Sequence, residues 1–173
     1  MKTIKTKLLI VSLCCLFIGN SFAQEMPKAQ KDLQRFVGNW ECKNSKYNVG
    51  GKDYVIDYHF NAKTAIDGAG VVADEFFDHP ELGKLRSLNM VNYDPGSSQI
   101  HWYTIDNFGT CHDHLGSWTD KDHFSFQVKG LNKGKAFVEK CSCEFSGDNK
   151  LTFKITTEED GKLISSASGL FVK

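Results

Sequence analysis

The chain has 173 residues, enough for one domain with a substantial hydrophobic core. Its 21 Lys and Arg residues balance its 21 Asp and Glu residues, and no basic stripe stands out, which argues against nucleic acid as a partner. After one apolar run near the N-terminus there is no second long one, so we predict no membrane span in the rest of the chain.

Residues 1–23 have the pattern of a secretory signal peptide. A lysine-bearing head, MKTIKTK, precedes the apolar run LLIVSLCCLFIG, and the small residue Ala23 marks the predicted cleavage position. The apolar run is shorter than the roughly 20 residues that a transmembrane helix needs. We therefore expect export to the periplasm or secretion, with residues 24–173 forming a single domain.

The tandem Cys14–Cys15 raises the alternative of a lipid-anchored protein. Lipoprotein signals resemble one another in a small residue directly before the modified cysteine, whereas Leu13 precedes Cys14 in this chain. We therefore favour simple cleavage after Ala23 over lipid attachment.

Export to an oxidising compartment makes the later cysteines disulfide candidates. They are Cys42, Cys111, Cys141 and Cys143. Cys141 and Cys143 are two positions apart on a predicted strand, where Cβ atoms lie about 7 Å apart, beyond the roughly 4 Å of a disulfide. Two pairings remain: Cys42–Cys141 with Cys111–Cys143, or Cys42–Cys143 with Cys111–Cys141. We expect at least one bridge; the alternative is four buried free thiols that pack as small hydrophobic residues.

One short helix is predicted at the start of the exported domain. In QEMPKAQKDLQRFVGNW, Pro27 suits the beginning of a helix, while Leu33, Phe36 and Val37 form an apolar face. Gly38 ends this segment, and from there the hydrophobic period changes to that of strands.

The rest of the chain is predicted to form about ten strands in meander order. The segment GNWECKNSKY is followed by nine runs rich in β-branched and aromatic residues, most of which alternate apolar and polar positions. Short turn sequences such as NVGGK, YDPGSS and SGDNK separate the runs, and connections this short join antiparallel neighbours. An open sheet of this size would expose two long edges. We therefore predict an all-β fold, a single antiparallel up-and-down β-barrel of about 8–10 strands behind the short N-terminal helix.

The segment DLQRFVGNWECK resembles the start of the lipocalin-like, or calycin, β-barrels. These barrels share a short helix that runs into a Gly-x-Trp, here Gly38–Asn39–Trp40, whose Trp closes one end of the barrel. With the hairpin AIDGAGVVADEFF, the segment is most similar to an uncharacterised family of exported bacterial calycin-like proteins. Narrow lipocalins resemble one another in a late Arg packed over that Trp, but Arg35 and Arg86 are the only arginines in this chain. The resemblance therefore extends to the barrel superfamily, and it implies a cavity for a small, largely apolar ligand.

Strand alternation indicates which side chains face the barrel interior. In AFVEKCSCEF, the inward face carries Phe137, Glu139, Cys141, Cys143 and Phe145. A polar group such as Glu139 on this face, together with the resemblance, favours a ligand cavity; the alternatives are a barrel packed solid with aromatic rings, and a Glu139 that lies at the rim. Our candidate ligand-binding residues are Trp40, Tyr58, Phe60, Trp102, Phe126, Phe137, Glu139 and Phe153.

The stretch GTCHDHLGSW contains a close pair of histidines. On a strand, His112 and His114 project to one face while Cys111 and Asp113 project to the other, so the thiol is separated from the imidazoles. A His-x-His pair can bind zinc or copper when a third ligand is near.

The register with the preceding strand decides whether His101 is that third ligand. In one register His101 lies opposite His114; with a bulge at Gly109, Trp102 and Thr104 oppose the histidine pair instead. Three interpretations therefore stay open: a metal site of His101, His112 and His114, histidines on a solvated strand face, or histidines that line the cavity and hydrogen-bond a ligand.

No nucleophile elbow, Gly-rich phosphate loop or paired-acid signature is present, and we interpret the adjacent acids Asp74–Glu75 as solvated charge. The leading hypothesis is an exported protein that binds a small hydrophobic molecule inside the barrel. The alternatives are a metal-binding protein or metal-dependent enzyme, and a protein-interaction module with a filled barrel. The sequence identifies no cofactor, although haem with a histidine ligand is a variant of the first hypothesis.

Overall fold

The computed structural model describes residues 26–173, so the predicted signal peptide lies outside the described part. A short helix α1 (Lys28–Asp32) and a 3₁₀ helix (Leu33–Phe36) precede the strands. The ten strands are β1 (Gly38–Val49), β2 (Lys52–Ala65), β3 (Gly70–His79), β4 (Gly83–Asp94), β5 (Gln99–Asp106), β6 (Cys111–Trp118), β7 (His123–Asn132), β8 (Lys135–Phe145), β9 (Lys150–Glu159) and β10 (Lys162–Val172). Within residues 26–173, no helix has both the length and the apolar character needed to cross a membrane.

The ten strands form a closed, antiparallel up-and-down barrel, which confirms the predicted fold class. Each strand pairs with its neighbours in sequence, and β1 pairs with β10 to close the ring, for example through Tyr47 and Ala167. Closure removes the two long outer edges that an open sheet of this size would expose. The structure therefore shows a closed ten-strand barrel, which is consistent with a calycin-like fold.

A bulge in β1 lies where the barrel closes. The register of β1 shifts between Cys42 and Ser45 on the β2 side, and the pairing with β10 shifts in the same region. Asn44, in the bulge, has a positive φ of 56°, and its backbone N–H donates to Asp57. Ser45 is fully buried and its hydroxyl donates to the backbone carbonyl of Ser168 on β10. A bulge bends a strand and increases its twist, which helps the sheet to curl round and meet itself.

The two ends of the barrel differ. The connections after β2, β4, β6 and β8 lie at the same end as the two helices, and we call this the closed end. Gln34 of the 3₁₀ helix donates to the carbonyl of Gly68, and Arg35 forms an ion pair with Asp122 at 3.0 Å. These contacts fasten the helical segment to loops on opposite sides of the ring. The other end, where β1, β3, β5, β7 and β9 turn, is the open end.

Trp40 lies inside the closed end of the barrel and blocks it, as the Gly-x-Trp pattern predicts. Its side chain is 1% exposed, and its indole N–H donates to the carbonyl of Phe36 at 2.7 Å. The ammonium of Lys173 lies 4.3 Å from the centre of the Trp40 ring and donates to the carbonyl of Arg35. A cation therefore does pack over this Trp, but it is a lysine that follows the last strand.

Aromatic rings fill the closed half of the barrel. Phe36 lies 5.2 Å from Trp102 and 5.0 Å from Phe145, ring centre to ring centre, in edge-to-face contacts. Farther from the closed end, the Trp102 ring stacks on the Phe126 ring, with 4.7 Å between the ring centres. Burying a ring of this size contributes roughly 1.5–3 kcal/mol to stability. This packing leaves the open half free for a cavity.

No disulfide joins any two of the four cysteines within residues 26–173, so the predicted bridge is absent. Cys42 on β1 is separated from Cys141 and Cys143 on β8 by the two strands β9 and β10, although all three face inward. Cys111 is exposed on the outer face of β6. The strand order thus places the inward thiols in different parts of the core, where burial raises the pKa of Cys143 to about 12.

We predict that one thiol reacts in the folded protein. In a variant with Cys14 and Cys15 replaced by serine, a thiol reagent at pH 8 labels Cys111 rapidly because it is exposed. Cys42, Cys141 and Cys143 react only after unfolding, giving four labels in denaturant. Mass spectrometry before and after unfolding measures both numbers, and a total of two labels in denaturant would show that a bridge forms.

Gly169 of β10 provides a second prediction because it lies at the seam between β1 and β10, where the barrel closes. A Cβ atom at this position would lie 2.3 Å from the Cys42 sulfur and 3.1 Å from the Phe153 ring. We expect Gly169→Ala to lower the free energy of unfolding by about 1–3 kcal/mol through overpacking. The Cys42→Ala/Gly169→Ala double variant should recover part of this loss in urea unfolding, whereas strictly additive effects would contradict the predicted clash.

Candidate functional site

A cavity of about 300 Å³ occupies the open half of the barrel. Its apolar floor includes Tyr58, Trp102 and Phe126. Its polar walls carry five titratable groups besides tyrosine and cysteine, which are Glu75, Asp106, His112, His114 and Glu139. Among the described residues that line it, none is Lys or Arg. The cavity therefore combines an aromatic floor with walls of acidic and imidazole groups.

The pairing of β5 with β6 decides which histidines reach this cavity. Trp102 pairs with His114 and Thr104 with His112, which is the register predicted for a bulge at Gly109. His112 and His114 therefore face inward and line the cavity, while Cys111 faces outward as expected. The interpretation of this pair as histidines on a solvated strand face is therefore wrong, since His114 is 3% exposed.

His101 does not join the other two histidines. Its side chain lies on the outer wall, where Nδ1 is 2.9 Å from the Asp113 carboxylate. The predicted His101–His112–His114 set is thus not brought together, because His101 and the inward Trp102 are adjacent on β5 and project to opposite faces.

Glu139 of β8 takes the third position beside the histidine pair. Its Oε1 lies 2.8 Å from Nε2 of His114, and its Oε2 accepts a hydrogen bond from the Thr157 hydroxyl at 3.1 Å. The other ring nitrogen of His114, Nδ1, lies 3.3 Å from the backbone carbonyl of Trp102. Glu139 is therefore held inside the barrel wall and does not lie free at the rim.

His114 faces hydrogen-bond acceptors on both sides of its ring. The carbonyl of Trp102 and the carboxylate of Glu139 can each only accept, whereas a neutral imidazole has one N–H to donate. While Glu139 is a carboxylate, a neutral ring satisfies only one of these two contacts, and a further proton shared by the pair or another cation between Nε2 and the carboxylate satisfies both. The side chain of His114 is only 3% exposed.

The surroundings of Glu139 change the pKa of its carboxyl group. Burial acts to raise its pKa, but the hydrogen bonds from His114 and Thr157 and the charge of His114 outweigh burial and lower the pKa of Glu139 below its usual value. The carboxylate form is therefore favoured in the folded protein.

His112 lies next to this pair with one nitrogen unsatisfied. Its ring stacks on Phe137 at 4.9 Å and lies 5.8 Å from the His114 ring, centre to centre. Its Nδ1 is buried and has no hydrogen-bond partner among the described residues. Burial lowers the pKa of His112, which favours the neutral ring with a lone pair available. An unsatisfied buried polar atom of this kind is uncommon and calls for an explanation.

A second polar group lies on the β3–β4 wall of the cavity. The Tyr58 hydroxyl donates a hydrogen bond to one carboxylate oxygen of Glu75, and the Asn89 amide donates one to the other oxygen at 3.1 Å. Asn89 is fully buried and accepts from Trp102 at 2.9 Å and from Thr104 at 2.7 Å. Burial raises the pKa of Glu75 despite these hydrogen bonds, and repulsion from Glu139 adds to the rise.

The cavity contains half of the eight candidate ligand-binding residues. Tyr58, Trp102, Phe126 and Glu139 line it. Phe60 and Phe153 line a smaller apolar pocket of about 50 Å³ that also touches Tyr58 and Trp102. Phe137 reaches the site only through its stacking on His112, and Trp40 lies at the closed end, so neither lines the cavity.

Glu75 is the main residue that the sequence analysis missed. Its interpretation as solvated charge was wrong, because it shares the inward face of β3 with Val71, Ala73 and Phe77. The alternation of GVVADEFFD places these four positions on one face, which is the signal that could have identified it.

The chain matches no protein-family model and no curated protein.

Glu75 gives a pH-dependent prediction. Its pKa is raised in the folded state, so the folded protein holds this proton more tightly than the unfolded chain does. The stability that the neutral carboxyl contributes is therefore present below its ordinary pKa of 4.5 and is lost as the pH rises through the folded value. The Glu75→Gln variant cannot ionise and does not show this loss.

We expect the stability of Glu75→Gln relative to the wild type to increase between pH 4 and pH 7, by about 1.4 kcal/mol for each unit by which folding raises the pKa. Urea unfolding at several pH values measures the difference. Asp74→Asn, on the opposite face of the same strand, is the matched control. Parallel pH profiles for the two variants would contradict the prediction.

Proposed function

We propose that this protein is exported and binds a small amphipathic organic molecule in the open half of the barrel. The observation that carries the proposal is the cavity of about 300 Å³, whose aromatic floor lies beneath acidic and imidazole groups. Ligand sites of proteins commonly combine an apolar lining with a few fixed polar groups. The proposed location rests on the signal-like sequence of residues 1–23.

The size of the cavity limits the ligand to a compact molecule. Small-molecule pockets span roughly 300–1,000 Å³, and this cavity lies at the lower limit. Its volume corresponds to about ten water molecules at their liquid density. A long acyl chain does not fit such a space, whereas a molecule with one or two rings does.

The lining defines the chemistry of the ligand. Trp102 and Phe126 are stacked at 4.7 Å and offer an apolar, aromatic surface to a flat ring. Glu139, with Asp106 near the mouth, offers acceptors and negative charge, Glu75 adds a further carboxyl group, and no Lys or Arg lines the described cavity. The ligand that fits best has an apolar ring and a hydrogen-bond donor or a positive charge, and is thus more polar than the sequence resemblance implied.

The filled-barrel alternative is less well supported. A module that uses only its outer surface has no need of an interior space, and replacing buried ionisable groups with apolar side chains is often neutral or stabilising. Five titratable side chains in one cavity therefore favour a role inside the barrel.

The proposal is tested by purifying the protein without denaturation and identifying what it carries. We expect solvent extraction followed by mass spectrometry to release one compact molecule with a ring and a basic or donor group. Ala167 is 7% exposed and lines the cavity, so Ala167→Phe fills the space and should abolish the extracted signal.

Leu170→Phe is the matched control because Leu170 is 47% exposed on the same strand and lies outside the cavity. It should retain the extracted molecule at the wild-type level. Equal recovery from Ala167→Phe and the wild type, or no enriched molecule in either, would contradict binding in this cavity.

A further inference from the structure

Three potential metal ligands converge on one wall of the cavity. One ring nitrogen of His112, one ring nitrogen of His114 and one carboxylate oxygen of Glu139 all lie within 4.8 Å of one another. A zinc ion with ligand bonds of about 2.0–2.2 Å holds neighbouring donor atoms roughly 3.3 Å apart. Around such an ion the 2.8 Å between His114 Nε2 and Glu139 Oε1 would widen by about 0.5 Å, and any longer separation within the 4.8 Å limit would shorten.

We propose that His112, His114 and Glu139 form a binding site for a divalent first-row transition-metal cation, of which Zn²⁺ is the reference. Two imidazoles and one carboxylate are a donor set that such ions accept, whereas Ca²⁺ and Mg²⁺ favour all-oxygen sites. The inference goes beyond the proposed organic ligand and does not depend on it.

The outer contacts of these ligands have the arrangement that metal sites need. A metal-binding histidine usually donates its second N–H to a carbonyl or carboxylate, and in this structure Nδ1 of His114 faces the Trp102 carbonyl. The Thr157 hydroxyl likewise holds the Glu139 oxygen that His114 does not contact. Both ligands are thus oriented by groups on β5 and β9 before any ion arrives.

The unsatisfied contacts of the two histidines have the same explanation. Nε2 of His114 faces a carboxylate that cannot donate, and a metal cation replaces the proton otherwise required between the two groups. Nδ1 of His112 is buried and has no partner in the described residues, and a metal ion bound at that nitrogen would give it one.

The surrounding charge favours a cation, and the cavity leaves room for a further ligand. Glu75 and Asp106 also line the cavity, and no described lining residue is Lys or Arg. Because all three ligands come from the cavity wall, water or a small molecule in the cavity can complete the coordination. An incomplete protein ligand set of this kind is typical of reactive zinc sites, whereas structural sites use four protein ligands.

A metal titration of the purified, chelator-stripped protein tests the site. We expect the protein to take up Zn²⁺ from a chromophoric indicator with a stoichiometry of one ion per chain. Bound Co²⁺ should give the absorption spectrum of a site with few ligands, all of them nitrogen or oxygen. The melting temperature should rise with Zn²⁺ and return after chelation. A stoichiometry below 0.1, or no effect on melting, would overturn the proposal.

Variants locate the ion. We expect Glu139→Gln and His114→Gln each to weaken Zn²⁺ binding at least 100-fold, and Thr157→Val, which leaves all three ligands in place, to weaken it about 10–100-fold. If His114→Gln does not fold, Glu139→Gln and Thr157→Val still provide the test. Wild-type affinity in Glu139→Gln would overturn the assignment.

Two controls exclude other sites. His101→Gln removes the outer-wall histidine, and Cys111→Ser removes the exposed thiol; both should bind Zn²⁺ as the wild type does. A loss in either that equals the loss in Glu139→Gln would place the ion elsewhere. Because the titration uses the metal alone, it can succeed when no organic molecule is extracted, and extraction can succeed when no metal binds.

Discussion

The pairing of β1 with β10 is the constraint on which the rest of the structure depends. Closure turns alternate side chains of ten strands into the lining of one enclosed space, and without it neither the core nor the cavity exists. The bulge at Asn44 lies in this seam, where the buried Ser45 bonds across to β10. Gly169 of β10 packs against Cys42 at the same place, so the seam depends on a small residue facing a small residue.

The closed end explains how the barrel can keep a cavity in its other half. Phe36 and Trp40 enter from the helical segment and the start of β1, and they pack against Trp102 and Phe145. This aromatic half gives the domain its hydrophobic core. The open half therefore does not have to be filled for the barrel to be stable, and its side chains are free to be polar.

The strand meander, the short helix and the inward faces could be predicted from sequence because they depend on local signals. Turn sequences separate the strands, and alternation identifies the inward set; Phe137, Cys141, Cys143 and Phe145 are buried as expected on β8. The bulge that shifts β1 against both of its neighbours carries no comparable signal, because an irregular pairing is decided by both strands together.

The candidate site could be predicted only in part, since it depends on register and on strand order. One residue more or less in the β5–β6 connection decides whether His101 or Trp102 opposes His114, and sequence leaves both open. The approach of Glu139 to His114 joins strands that are not direct neighbours, β6 and β8, through the curvature of the wall. The predicted disulfide was wrong for the same reason, because cysteine spacing says nothing about which strands lie between two thiols.

The polar groups of the cavity are hard to explain by stability alone. Glu75 and Glu139 are two carboxyl groups in one interior, and each costs desolvation that apolar side chains would avoid. Their environments drive their pKa values in opposite directions: burial raises the pKa of Glu75, whereas His114 and Thr157 lower that of Glu139. Burial thus acts against charge on Glu75, whereas the contacts around Glu139 favour its carboxylate form. Apolar side chains at both positions would avoid this cost, so the two carboxyl groups support the proposed binding role of the cavity.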